Sequence, residues 1–248
     1  KHFNPGMKSF EFRRSEIQEM AASLAIVLPE NIGDLLYSFR FRTRLPQEIL
    51  DTQTRGREWV IELAGRGKYR FRLSAINRVV PKESQYVIKI PDATPEIIER
   101  YALSDEQALL AKVRYNRLVD IFLRVTAYPL QNHLRTTVPG MGQIETDELY
   151  LAVRNTGEQF IIPVQAKGGA DQIGAVQVQQ DLALCQHVFP QLRPRLLAVQ
   201  FLRSGDVIAM FELVFQSGKL RVMEERHYRL VPAADITDDD LKTMSGGE

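Results

Sequence analysis

Two short stretches of the chain hold residue types that act on phosphate esters. One is Gly142-Gln143-Ile144-Glu145-Thr146-Asp147-Glu148-Leu149-Tyr150, and the other is Pro163-Val164-Gln165-Ala166-Lys167-Gly168-Gly169. Seventeen residues separate Asp147 from Gln165. Side chains alternate between the faces of a strand, so Glu145 shares a face with Asp147, and Gln165 with Lys167. A hairpin of the two strands brings carboxylate, amide and ammonium to one place, and cleavage of a phosphodiester uses such a set. Asp147, the Gln165 side-chain oxygen and the Ala166 backbone carbonyl are hard oxygen donors of the kind a divalent cation takes alongside phosphate and water. Lys167 can orient or deprotonate the attacking water and offset charge building on phosphorus. Gly168 and Gly169 let the backbone and a bound strand approach closely.

The flanking pattern supplies the elements that must hold these groups. Ser104 is placed to cap a long helix from Asp105 to about Arg124, with Leu109, Leu110, Val113, Leu118, Ile121 and Phe122 on its apolar side. Strands are predicted over about 132–138, 143–153 and 159–165, the last two joined by the turn Asn155-Thr156-Gly157-Glu158. A helix over about 175–187 follows, then strands over about 196–202, 207–215 and 220–231. This order gives an α/β (α+β) core, a mixed sheet flanked by helices. Gln177, Gln179 and Gln180 read as a solvated helix face. His133, His187 and His227 have no ligand spacing and read as surface or satisfied core histidines. Cys185 has no basic partner nearby in sequence and reads as a buried, inert thiol.

Ahead of this core the chain has a different character. Ser15-Glu16-Ile17-Gln18 fits a capping box before a helix over about 15–27, Asn31 is placed to cap a second helix, and Pro46 to open a short third. The period then changes to two. Trp59, Ile61 and Leu63 alternate up to the turn Gly65-Arg66-Gly67, and the return strand sets Tyr69, Phe71 and Leu73 against Lys68, Arg70 and Arg72. Residues 40–78 hold ten basic and four acidic residues, leaving the rest of a chain of net charge +1 at −5. Such a segment is a common footprint of binding to phosphate backbones. Its candidate contacts are Arg40, Arg42, Arg44, Arg55, Arg57, Lys68, Arg70 and Arg72. Two Pro-bearing stretches near 80–95, around a short strand expected over 86–90, suggest a boundary. The expected division is 1–80, a linker over 81–100, a second domain over 101–234 and an acidic tail over 235–248.

Composition excludes several classes. With 248 residues, 44% hydrophobic and 25% charged, the chain is neither disordered nor collagen-like. One cysteine cannot form an internal disulfide or a thiolate zinc site, and it suits a reducing cytosol. No apolar run is long enough to span a bilayer, so no membrane association is expected.

The helices and basic hairpin over about residues 8–80 resemble a winged-helix DNA-binding domain. Asp147 and Gln165-Ala166-Lys167, with the surrounding element order over about 100–215, resemble the PD-(D/E)XK nuclease superfamily, the restriction-endonuclease-like fold. Where that pattern has Asp or Glu, this chain has Gln165. Glu145 on the Asp147 face, or Glu106 near the start of the long helix, can supply the missing carboxylate as catalytic group or metal ligand. The resemblance implies a Mg2+-dependent (or Mn2+-dependent) DNA endonuclease most similar to a type II restriction enzyme. It also implies double-stranded DNA as partner, a homodimer, a companion methyltransferase encoded nearby and a prokaryotic cytoplasm. Two other readings are a structure-specific repair or junction nuclease and a non-catalytic DNA-binding protein on a nuclease-like fold.

Overall fold

The computed structural model describes residues 2–41, 43–75, 78–101, 106–168, 172–202, 206–216 and 219–245. The chain divides into two units, Lys1–Ile76 with Thr137–Ile144, and Asn77–Thr136 with Glu145–Glu248. The fold is mixed α/β.

In the first unit, alternation of aromatic and charged residues builds a three-stranded antiparallel sheet. Its strands are β1 (Ser9–Arg13), β2 (Arg57–Gly65) and β3 (Lys68–Ala75), in the order β1-β3-β2. Phe10 and Ile61 both pair with Phe71, and Phe12 and Leu63 with Tyr69, so one face is apolar. Phe10 stacks on Phe71 at 5.0 Å between centroids. Ile32 and Leu36 join Ile61 and Tyr69 in the buried cluster. The helices are α1 (Arg14–Ser23), α2 (Ile32–Phe41) and α3 (Gln47–Leu50). Asn31 caps α2 as expected, its Oδ1 accepting the Gly33 N–H at 2.9 Å. The start of α1 differs from expectation. Glu16 reaches back to accept the Arg13 N–H at 2.7 Å, so the helix opens at Arg14. It ends at Ser23 because Ala25 turns left-handed at φ +54° and the Ile26 N–H closes on Ala21 O at 2.9 Å. Strand β1 was not expected, since Phe10 and Phe12 are only one step of alternation.

The second unit is organised by an eight-stranded mixed sheet. Its strands are β5 (Val87–Pro91), β6 (Thr126–Val138), β7 (Gly142–Val153), β8 (Gln159–Lys167), β10 (Arg193–Pro194), β11 (Leu196–Phe201), β12 (Val207–Gln216) and β13 (Lys219–Val231). The order is β5-β13-β12-β11-β8-β7-β6, with β10 beside β8, and a small pair of β4 (Arg78–Val79) with β9 (Ile173–Gly174) lies apart. β7 and β8 are antiparallel; β8 and β11 are parallel, joined through α7 (Ala175–Val188). The other helices are α4 (Glu96–Tyr101), α5 (Glu106–Tyr115), α6 (Leu118–Leu123) and α8 (Asp238–Ser245). Two apolar clusters cover the sheet. Leu109, Val113, Leu118 and Phe122 of α5 and α6 pack with Phe160, Ile162, Val164 and Ala166, while Val178 of α7 packs with Leu196, Ala198 and Phe211. Burial on both faces explains why Phe160–Val164 is an unbroken apolar run.

Three expectations are corrected. The long helix over 105–124 is broken into α5 and α6, with Arg117 left-handed at φ +50°. Asn116 is committed at the break: its Oδ1 accepts the Ala93 N–H at 2.7 Å, and its amide donates to Thr94 Oγ1 at 2.9 Å. Residues 81–100, expected as a linker around a short strand, carry that strand as β5 and also α4, and β5 pairs in parallel with β13 from Val87↔His227 to Pro91↔Val231. The acidic tail folds as α8, capped reciprocally by Thr237 and Asp240, and Asp240 also takes the Lys89 ammonium at 2.9 Å. Residues Ser104, Asp105 and Gly169 lie outside the described residues, as does Glu248. No helix among the described residues is long and apolar enough to cross a membrane.

Candidate active site

Strands β7 and β8 pair antiparallel from Val153↔Gln159 to Glu148↔Val164, and the predicted chemistry sits at the next residues. There the Asp147 Oδ2 accepts the Ala166 backbone N–H at 2.9 Å. That N–H, rather than the Ala166 carbonyl, is what the structure ties to Asp147, and the Ala166 side chain is fully buried in the α5/α6 cluster. Lys167 Nζ donates to Glu106 Oε1 at 2.9 Å, with the lysine side chain only 12% exposed. Burial pushes the Asp147 carboxyl above its ordinary range and the Glu106 charge adds to this, against the Ala166 N–H, Lys167 and His133. Glu106 holds the Lys167 ammonium directly, and Asp147 feels both charges through space. Of the two candidate second acids, Glu106 is the one bonded to Lys167.

Glu145 is engaged elsewhere. Its Oε2 accepts from Arg135 Nη2 at 2.6 Å, and its Oε1 lies 3.2 Å from His133 Nδ1. His133 has a left-handed backbone at φ +48°, uncommon for a non-glycine residue. It is exposed, as expected, and it also stands within electrostatic reach of Asp147.

Gln165 is 4% exposed, and its amide nitrogen donates to Asp181 Oδ1 at 3.1 Å. Asp181, on α7, is 2% exposed; burial pushes its carboxyl up to about 8, and the Asp147 charge adds to this. The Thr146 hydroxyl is buried near enough to favour the charged form of Asp181, yet its Oγ1 completes no hydrogen bond of sound geometry among the described residues. Sequence reasoning missed Asp181. The available signal was an acid at helical spacing between Val178 and Leu184, on a stripe the fold buries. Gln180, expected on a solvated face, is also buried. Cys185 is buried, which pushes its thiol up and keeps it inert, as expected.

A second buried group fixes α5. The Arg114 guanidinium donates to Glu148, which is 0% exposed, and the Tyr150 hydroxyl donates to the same carboxylate at 2.8 Å. Glu148 looks inward from the strand that carries Asp147, so one strand holds both the site acid and the anchor of the helix that delivers Glu106.

The predicted DNA contacts of the first unit are in varied settings. Arg44, Arg55, Arg57 and Lys68 are exposed. Arg70 pairs with Glu11 and Arg72 with Glu62, each at 2.5 Å. Arg40 donates to the Ile61 carbonyl at 3.2 Å, and burial pushes its guanidinium below the ordinary arginine range. Arg42 lies outside the described residues.

Among the described residues no group of three or more His, Cys, Asp or Glu side chains is arranged to hold a metal. The donors at the site are two carboxylates and an amide. That set still suits a hard divalent cation, being oxygen throughout, with two carboxylates that repel each other. Comparison of the chain with family models, curated proteins and solved structures gives no match.

Proposed function

We propose that the chain is a metal-dependent endodeoxyribonuclease. The observation that carries this reading is the Lys167–Glu106 ion pair at the end of the β7/β8 pair, within electrostatic reach of the partly buried Asp147 carboxylate that the Ala166 N–H holds. Asp147, Glu106 and the Gln165 amide oxygen would hold Mg2+ or Mn2+, which when bound supplies Lewis-acid activation of the phosphate and of water. Lys167, held by Glu106 Oε1, donates to the scissile phosphate and offsets the charge that grows on its oxygens. The Ala166 N–H fixes the Asp147 carboxylate, so the acid is oriented before substrate arrives. The first unit is the proposed DNA-reading module, winged-helix-like in its order of helices and hairpin. A type II restriction enzyme would act on double-stranded DNA as a homodimer, beside a companion methyltransferase in a prokaryotic cytoplasm.

One observation favours a second reading, a structure-specific repair or junction nuclease: Arg70 and Arg72 are occupied by acids, which weakens the case for a sequence-reading hairpin. Digestion of a mixed DNA library with Mg2+, followed by sequencing of fragment ends, decides between them. A fixed motif at the ends supports restriction, and ends without a motif support the structure-specific enzyme. No cleavage with Mg2+ or Mn2+ leaves only a DNA-binding protein.

A further inference from the structure

Gln165 stands where a metal-site acid would be expected, yet a carboxyl group is only one hydrogen bond behind it. Asp181 is 2% exposed, and its Oδ1 takes the Gln165 amide nitrogen at 3.1 Å. In this contact Oδ1 is the acceptor, as it is for the carboxylate and for the acid with its proton on Oδ2, and the amide is held with its NH2 toward α7. The oxygen and nitrogen of an amide point in diverging directions, and fixing the NH2 on α7 turns Oε1 away from it. At 4% exposure Gln165 cannot settle its orientation with bulk water. The buried Thr146 hydroxyl is the other polar group at Asp181. An aspartate on the inner stripe of α7, among Val178, Leu184 and Cys185, has no role in packing that an apolar residue would not serve.

From this we infer that Asp181 is a positioning residue: it holds the Gln165 amide so that Oε1, not the NH2, is presented to the cation. The inference rests on the proposed metal site. An amide presented by its NH2 would repel the ion, so the orientation decides whether Gln165 is a ligand at all. The strand acid is thereby replaced by an amide ligand with a carboxyl group behind it.

The test exchanges the two groups. Mn2+ and Mg2+ binding is measured by titration calorimetry on the full chain, with thermal unfolding in parallel, for wild type, Asp181→Asn, Gln165→Glu and the double variant. Asp181→Asn lets either end of the Gln165 amide face the site, and metal affinity is expected to fall about 10–100-fold, as for other partners that orient a ligand. Gln165→Glu sets two acids in contact and is expected to lower the melting temperature. The double variant restores an amide–carboxylate pair with the acid on the strand; its melting temperature and metal affinity are expected to recover beyond the sum of the single effects. Asp181→Asn binding metal as wild type does, or a double variant no better than additive, overturns the role of Asp181 and leaves the site itself standing. Wild type taking up neither ion overturns the proposed site and this inference together.

Discussion

The β2/β3 hairpin of the first unit and the β7/β8 pair of the second are both antiparallel and both carry charged side chains, but their charges are handled in opposite ways. On β3, Lys68, Arg70 and Arg72 form a row of cations in the sequence. In space Arg70 meets Glu11 of β1, 59 residues away, and Arg72 meets Glu62 of β2. Two of the three cations in the row are paired with acids on neighbouring strands, at a surface where such pairs exchange readily with water. On β7 and β8 the charges are fewer and buried. Glu148 is sealed under Arg114 and Tyr150, while Glu106 holds Lys167 within electrostatic reach of Asp147. A count of charges along the chain points to the hairpin. Burial and incomplete compensation point to the strand pair, and these are the conditions under which charged groups gain chemical leverage.

The largest effect expected from this contrast is on stability. Removing the Arg114 guanidinium by Arg114→Ala leaves the Glu148 carboxylate buried without its cation, a loss of about 3–5 kcal/mol. Denaturant unfolding measures it, and Glu148→Gln added to Arg114→Ala is expected to recover part of the loss. By contrast Glu62→Gln, which breaks a half-exposed pair, is expected to cost about 0–1 kcal/mol. Equal costs at the two places would break the comparison. Next in size is Lys167→Ala, for which the single-turnover cleavage rate is expected to fall about 100–1000-fold while DNA affinity in gel shifts changes little. A parallel loss of binding would make Lys167 a docking group instead.

Much of the second unit was legible because its central strands are apolar on both faces and its turns carry turn residues: Phe160–Val164 and Asn155–Glu158 fix a strand and a hairpin by local pattern. The pairing of Asp147 with the Gln165–Lys167 stretch followed from strand alternation. What was not legible depends on distant partners. The break between α5 and α6 is fixed by Asn116 holding Ala93 and Thr94, and nothing within 105–124 signals it. The short strand over 86–90 was legible and forms β5, but nothing local names its partner, β13, about 140 residues away. Asp181 was missed because the neighbour that gives it meaning, Gln165, comes from another element. The pairing of Arg70 was not legible either, since Glu11 sits on a strand that short alternation does not announce.

The smallest expected effect bears on whether the hairpin touches DNA at all. Each phosphate contact contributes a slope of about −0.9 to the dependence of log affinity on log salt. If Arg70 and Arg72 remain with Glu11 and Glu62 in the complex, replacing both by Ala changes the slope by well under one contact. Freeing them with Glu11→Gln and Glu62→Gln then steepens the slope toward two additional contacts, because the same guanidinium groups become available to phosphate. Fluorescence anisotropy of a short duplex across a salt series reads both variants. A decrease of about two contacts in the arginine variant would mean that the pairs open on binding and that Glu11 and Glu62 only hold the arginines in the free protein. The hairpin and the β7/β8 pair would then differ in what their acids do when DNA arrives: those of the hairpin would release their cations to phosphate, while Glu106 keeps Lys167 aimed at the scissile bond.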